Sequence, residues 1–281
     1  MSEIRKDDRL AGRVAIVTGA GSRAAGIGNG RAAAILLARS GARVLLIDAV
    51  TEWVEETRRM IEAEGGVALV CTADVTQADA CAAAVRAAVA AWGRVDILVN
   101  NVGIGGPPGT AVDVDVEAWD QAMRVNVTSM MLMAKYAIPE MRKLHAGAIV
   151  NLASVAGLTG GHPSLLYPTS KGAVINLTRA MAAQHGHEGI RVNCIAPGMV
   201  YTPMVYSRGM TPAMRETRRN RSLLKTEGTG WDVGHAVVYL VSDESRWVTG
   251  VVLPVDAGAT AGAGRLPGLA SDATDITSSR E

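Results

Sequence analysis

Residues 13–48 read RVAIVTGAGSRAAGIGNGRAAAILLARSGARVLLID. An apolar, β-branched run from Arg13 to Thr18 breaks into glycines. An Ala-rich stretch with helical period follows from Gly30 to Arg39, and a second apolar run spans Arg43 to Asp48. Two strands that are apolar at nearly every position are buried on both faces, and joining them through a helix makes them parallel. Strand, glycine loop, helix, strand is therefore the unit from which the fold is built.

The same alternation continues outward. Further strand-like runs fall at Val67 to Thr72, Asp96 to Asn100, Ala148 to Leu152, Arg191 to Ile195 and Val251 to Val255. Helix-period stretches lie between them, at Thr51 to Glu64, Gln77 to Trp92, Glu117 to Lys143, Ser164 to His185 and Trp231 to Ser242. The fold class is α/β, a doubly wound parallel seven-stranded sheet with helices on both faces. No linker divides the chain, so residues 1–258 are expected to form one domain. Residues 201–230 fit no strand and read as a helical lid, and residues 259–281 as a flexible tail.

Composition narrows the function. The 281 residues are 48% hydrophobic, enough for one large core, and Lys plus Arg (28) nearly balance Asp plus Glu (27). Such a balance favours neither nucleic acid nor a membrane surface, so the expected partner is a small molecule. A polar N-terminus without an apolar segment, and three dispersed cysteines, Cys71, Cys81 and Cys194, in apolar surroundings, point to a cytoplasmic protein with reduced thiols. His145, His162, His185, His187 and His235 are scattered, and no metal site is expected.

Between the first strand and helix runs Thr18-Gly19-Ala20-Gly21-Ser22-Arg23-Ala24-Ala25-Gly26-Ile27-Gly28. Glycines there admit a diphosphate close to the backbone, and the helix N-terminus offers free N–H groups and the positive end of its dipole. Asp48 closes the second strand, where a carboxylate can accept from ribose hydroxyls and repel a 2′-phosphate. Ala49 and Val50 supply no cation, so the expected cofactor is NAD. Two alternatives stay open: Asp48 as a simple turn cap, and Arg23 reaching a 2′-phosphate.

Tyr167 and Lys171 are four residues apart in a helical stretch and so share a face. An ammonium beside a phenol favours the phenolate, which predicts a lowered Tyr167 pKa and an acid–base role toward an alcohol or ketone. Ser154 follows an apolar strand and would emerge at its carboxyl end, placed to donate to a substrate oxygen. Taken singly, each pattern has a structural reading: a surface helix pair, a helix cap, a satisfied polar group.

The ordered set resembles the short-chain dehydrogenase/reductase family. It comprises the glycine loop, Asp74-Val75, Asn100-Asn101-Val102-Gly103, Asn126, Ser154, Tyr167 to Lys171, and Pro197-Gly198 with Thr202. The match runs from about Gly12 to Gly258. It implies a Rossmann-type sheet and an NAD-dependent exchange of hydride with a secondary alcohol or ketone, with Asn126, Ser154, Tyr167 and Lys171 catalytic. It implies cofactor contacts from Gly19, Ser22, Arg23, Gly26, Ile27, Gly28 and Asp48, with Asp74 and Val75 at the adenine. Asn101, Gly103, Tyr167 and Lys171 would lie along the nicotinamide ribose, and Pro197, Val200 and Thr202 at the carboxamide. It also implies a homo-oligomer, dimer or tetramer. Two departures are visible. Arg23, Ala24 and Ala25 lengthen the glycine loop, and Val102 replaces a commoner alanine. Alternative readings are an NADPH-dependent carbonyl or 3-oxoacyl reductase and an inactive nucleotide sensor.

The substrate wall is expected from Gly103 to Pro108, from Val155 to His162 and in the lid. There Met199, Met204, Met210 and Met214 either line an apolar pocket or fill core. Arg208, Arg215, Arg218, Arg219 and Arg221 read as a solvated face, with pairing to an acidic substrate as the alternative.

Overall fold

The computed structural model describes residues 7–207 and 209–262. The elements alternate as β1 (Val14–Thr18), α1 (Asn29–Arg39), β2 (Arg43–Asp48), α2 (Thr51–Ala63), β3 (Val67–Thr72), α3 (Ala78–Trp92) and β4 (Ile97–Asn100). The chain continues through α4 (Val116–Met123), α5 (Ser129–Lys143), β5 (Gly147–Leu152), α6 (Leu166–His185) and β6 (Ile190–Pro197). It then forms α7 (Pro203–Tyr206), α8 (Pro212–Arg219), α9 (Gly230–Val241) and β7 (Val252–Val255).

All seven strands are parallel, in the order β3-β2-β1-β4-β5-β6-β7. Successive strand residues face opposite cores, as a period of two requires. Ala15 and Val17 join a cluster with α1, α2 and α9, while Val14 and Ile16 join one with α3, α5 and α6. Burying a side chain such as Ile16 or Leu45 contributes about 1.5–3 kcal/mol, which is why the strands tolerate so few polar residues. The order in which strands are added reverses between β1 and β4, and the crevice at their carboxyl ends is where open α/β sheets bind ligands.

One helix-period stretch is not one helix. From Glu117 to Lys143 the apolar pattern is continuous, but α4 and α5 are separated by a π turn over Arg124–Thr128. The extra residue per turn rotates Asn126 inward, to complete burial. In segment 201–230 the short helices α7 and α8 each begin on a proline after a threonine, the arrangement that suits a first helical turn. Of the tail expected over 259–281, residues 263–281 lie outside the described residues.

Candidate active site

A cleft of about 470 Å³ opens over the β1–β4 crevice. Its nucleotide side is shaped by close backbone approaches. Gly19 has φ +62°, and a Cβ there would come 2.8 Å from Asn101 Nδ2. At Gly21 a Cβ would meet Trp53 Cβ at 2.6 Å and Asp48 Oδ2 at 2.8 Å, and at Gly30 it would overlap the Gly19 carbonyl. Asn101 Nδ2 donates to Gly19 O at 2.9 Å and Thr18 O at 3.2 Å, tying β4 to the loop. No side chain caps α1, and Gly28, Asn29 and Gly30 line the cleft. Uncapped first-turn N–H groups and a backbone kept bare of Cβ atoms fit a diphosphate.

Asp48 lies on the cleft wall and is already engaged. Its Oδ2 accepts from Gly21 N at 2.9 Å and its Oδ1 from Val50 N at 3.3 Å, so it caps the turn after β2 and also braces the glycine loop. Arg23 lines the same cleft, is exposed, and forms no ion pair among the described residues. Beneath the loop, Arg31 is 4% exposed and donates to Gly26 O, Trp53 O and Thr57 Oγ1, while Thr57 Oγ1 donates to Ala20 O. Burial pulls the Arg31 pKa below its ordinary value, with nearby acidic groups opposing.

The opposite end of the cleft holds the acid–base cluster. Tyr167 in the first turn of α6 lies beside Ser154, whose Oγ accepts from Ala156 N at 3.2 Å. Burial pushes the Tyr167 phenol above its ordinary pKa, and the neighbouring Ser154 hydroxyl pulls the other way. This corrects the lowering expected from the Tyr–Lys spacing. Lys171 Nζ sits 5.8 Å from the Tyr167 ring centre and donates to Leu152 O at 2.9 Å. It is 4% exposed with no carboxylate partner among the described residues, and burial brings its pKa down from 10.5 to about 8. Asn126 makes no direct hydrogen bond to Lys171 among the described residues. Its Nδ2 donates to Ile104 O at 2.9 Å and Ser170 Oγ at 3.0 Å, and its Oδ1 accepts from Ile104 N at 2.7 Å. Ser170 Oγ in turn donates to Tyr167 O, so Asn126 pins both the loop after β4 and the start of α6.

The structure thus gathers Gly19, Ser22, Arg23, Gly28, Asp48, Asp74, Val75, Asn101, Gly103, Tyr167, Lys171, Pro197 and Thr202 on one cleft wall. Gly26 and Ile27 lie elsewhere: Gly26 against Tyr206, and Ile27 in a separate hollow with Tyr201 and Trp231. Val200 is buried in the core. Sequence reading gave no role to Trp53, Asn29, Gly30 or Gln121, which also line the cleft, while Met204, expected in an apolar wall, lines it as well. Gly30 carried a signal, a glycine in the first turn of a helix. Trp53, Asn29 and Gln121 carried none.

Of the arginines of segment 201–230, Arg215 and Arg218 are drawn onto a buried carboxylate, while Arg219 and Arg221 stay at the solvated surface. Glu227, its side chain 3% exposed, takes Arg215 Nε at 2.9 Å and Arg218 Nε at 2.8 Å, and Arg218 Nη2 reaches Val200 O. Arg219 pairs with Glu216, and Arg208 lies outside the described residues.

Fold and cleft define a class, the α/β dinucleotide-binding oxidoreductases. A family model described as Enoyl-(Acyl carrier protein) reductase matches residues 22–260. The 2-(S)-hydroxypropyl-CoM dehydrogenase 3 of Xanthobacter autotrophicus is 40% identical over 90% of this chain and 99% of its own length. Cis-4-hydroxycyclohexanecarboxylate dehydrogenase of Sinomonas cyclohexanicum is 38% identical over 90% and 99%. A short-chain type dehydrogenase/reductase from Mycobacterium ulcerans superposes with a TM-score of 0.84 at 29% identity, covering 91% of this chain and 92% of that one. The chain belongs to the short-chain dehydrogenase/reductase family. It is an oxidoreductase of the secondary alcohol/ketone pair.

Proposed function

We propose that this enzyme uses NAD(H), with Asn126, Ser154, Tyr167 and Lys171 as its catalytic set. The observation that carries the catalytic reading is the Tyr167 phenol, beside Ser154 and one helical turn from the buried Lys171, at the carboxyl edge of a sheet whose glycine loop is open to a diphosphate. Gly19, Ser22, Arg23 and Gly28 would hold the phosphates, Asp48 the adenosine ribose, and Asp74 and Val75 the adenine. Asn101, Gly103 and Lys171 would hold the second ribose, and Pro197 and Thr202 the carboxamide. When bound, the nicotinamide supplies or accepts the hydride.

Tyr167 takes the proton from the alcohol in oxidation and returns it to the ketone oxygen in reduction. Ser154 donates to the same oxygen as charge develops on it. Lys171, one helical turn from the phenol, would hold the ribose hydroxyls, and Asn126 fixes the backbone around both. The relatives named above act on hydroxypropyl and hydroxycyclohexane compounds, which supports a secondary alcohol substrate. Met204 and Met214, 44% and 49% exposed on segment 201–230, support an apolar lid. No described helix is long and apolar enough to cross a membrane, and the three free cysteines support a reducing, cytoplasmic setting.

NAD rests on the Asp48 carboxylate in the adenosine half of the cleft. The NADPH reading rests on Arg23, a cation on the same wall without a partner among the described residues. Fluorescence titration with NADH and with NADPH, followed by a panel of ketones, decides between them. Tighter NADH binding with ketone-dependent oxidation upholds the proposal. Tighter NADPH binding transfers the choice to Arg23, and binding of neither overturns the cofactor site.

A further inference from the structure

The lengthened part of the glycine loop presents three successive carbonyls, and each is held by a side chain of different origin. Ser22 Oγ, from the loop itself, donates to Ala24 O at 2.9 Å. Arg31 Nη1, from α1 beneath, donates to Gly26 O at 2.8 Å. Between them, Tyr206 Oη donates to Ala25 O at 2.5 Å. Tyr206 lies 181 residues along the chain, on segment 201–230, so this bond ties that segment to the glycine loop beside the cleft. The phenol also rests where Gly26, at φ +116°, has no side chain, and a Cβ there would overlap the hydroxyl.

Behind Tyr206 the segment is braced as a unit. The Tyr206 ring packs on Tyr201 with centres 4.9 Å apart, and the Arg215 guanidinium lies 3.9 Å over Tyr201. Arg215 and Arg218 both grip Glu227, and Arg218 returns to Val200 O. The other face of the same single turn, α7, presents Pro203 and Met204 to the cleft, directly after Thr202. A force holding Tyr206 to the loop therefore also holds Thr202 and Pro203 over the cleft.

We propose that Tyr206 is a positioning residue that latches segment 201–230 to the inserted loop at Ala25, closing the cleft over the bound dinucleotide and slowing its release. This rests on the dinucleotide reading of the cleft. The hydroxyl is the latch and the ring its support, which gives a sharp control. Tyr201 has the same side chain in the same stack, but its hydroxyl has no hydrogen-bond partner among the described residues.

The test is stopped-flow release of whichever reduced nicotinamide dinucleotide binds the full-length enzyme more tightly, in wild type, Tyr206→Phe and Tyr201→Phe. Loss of one neutral hydrogen bond predicts release about five- to tenfold faster in Tyr206→Phe. Tyr201→Phe should release at the wild-type rate, and both variants should melt within a degree or two of wild type. Tryptic cleavage after the exposed Arg221 gives a second readout: the dinucleotide should protect wild type and Tyr201→Phe but not Tyr206→Phe. Equal release in all three proteins overturns the latch, as does equal acceleration in both variants, which would mark general loosening. A wild type that binds neither dinucleotide overturns the underlying cofactor reading and the latch with it.

Discussion

Lys171 is a buried ammonium that answers to a carbonyl, Leu152 O, rather than to a carboxylate, and this has a measurable cost. Its pKa falls from 10.5 to about 8 on folding, so between those values the unfolded chain holds more protons than the native one. Stability contributed by this group therefore rises with pH across that window, and below about pH 8 the full penalty is present, about 3 kcal/mol. Lys171→Met removes the titration. Urea unfolding should show the variant gaining on wild type as pH is lowered from 10 to 7, whatever constant offset the unpaired Leu152 carbonyl adds. A difference that does not change with pH would show that the ammonium is not desolvated. Tyr167 differs in kind, because its hydroxyl does chemistry. Tyr167→Phe should lower kcat by about a thousandfold while leaving dinucleotide affinity within about threefold. Residual turnover near wild type would remove Tyr167 from the mechanism.

At the scale of elements, the geometry of the site depends on backbones that touch. Gly157 ends the single turn that follows Ser154, and a Cβ there would lie 2.6 Å from Lys171 C and 2.7 Å from Gly172 N, both main-chain atoms of α6. Gly157→Ala must push this turn off the helix and carry Ser154 away from Tyr167. Expected is a fall in kcat of about tenfold or more with dinucleotide binding retained, since displacements of an ångström at a reacting group are costly. Steady-state kinetics beside a fluorescence titration separate the two, and unchanged kcat would mean that the turn yields elsewhere. Contacts of this sort are also where sequence reading stops. The strands fell within a residue or two of their observed bounds because runs such as Val14–Thr18 are apolar on both faces and end at glycine or a polar residue. The cleft residues were legible because their order along the chain is distinctive. The π turn at Arg124–Thr128 was not, since a hydrogen-bond slip leaves the apolar spacing from Glu117 to Lys143 intact. Nor were the partners of Asn126 and Lys171. Ile104 O lies in the loop after β4 and Leu152 O at the end of β5, and no side chain announces either main-chain acceptor.

For the whole molecule, helices cover the two faces of the sheet, and no strand among the described residues pairs with the outer edges of β3 and β7. The long helices α5 and α6 commit their apolar faces largely inward: Met130, Met133, Ala137 and Met141 of α5, and Val174, Ile175 and Met181 of α6, are all buried. Exposed apolar surface lies at both sheet edges: Val67 and Leu69 on β3 are 50% and 38% exposed, and a second patch lies near β7, which pairs only with β6 among the described residues. Trp247 is 95% exposed, Tyr239 on α9 41% and Val251 37%. An open strand edge beside an exposed indole is a surface that proteins ordinarily cover, and a second copy of the chain meeting it about a two-fold axis buries the same patch twice. Equilibrium sedimentation at micromolar concentration should give a mass of two or four chains. Trp247→Arg, which places a charge in the middle of the patch, should reduce that mass while leaving the fold and the distant cleft intact. If the wild type sediments as one chain, the homo-oligomer is refuted. If it is oligomeric and Trp247→Arg does not shift the mass, the interface lies on another face, and Met131, 41% exposed on α5, becomes the next position to charge.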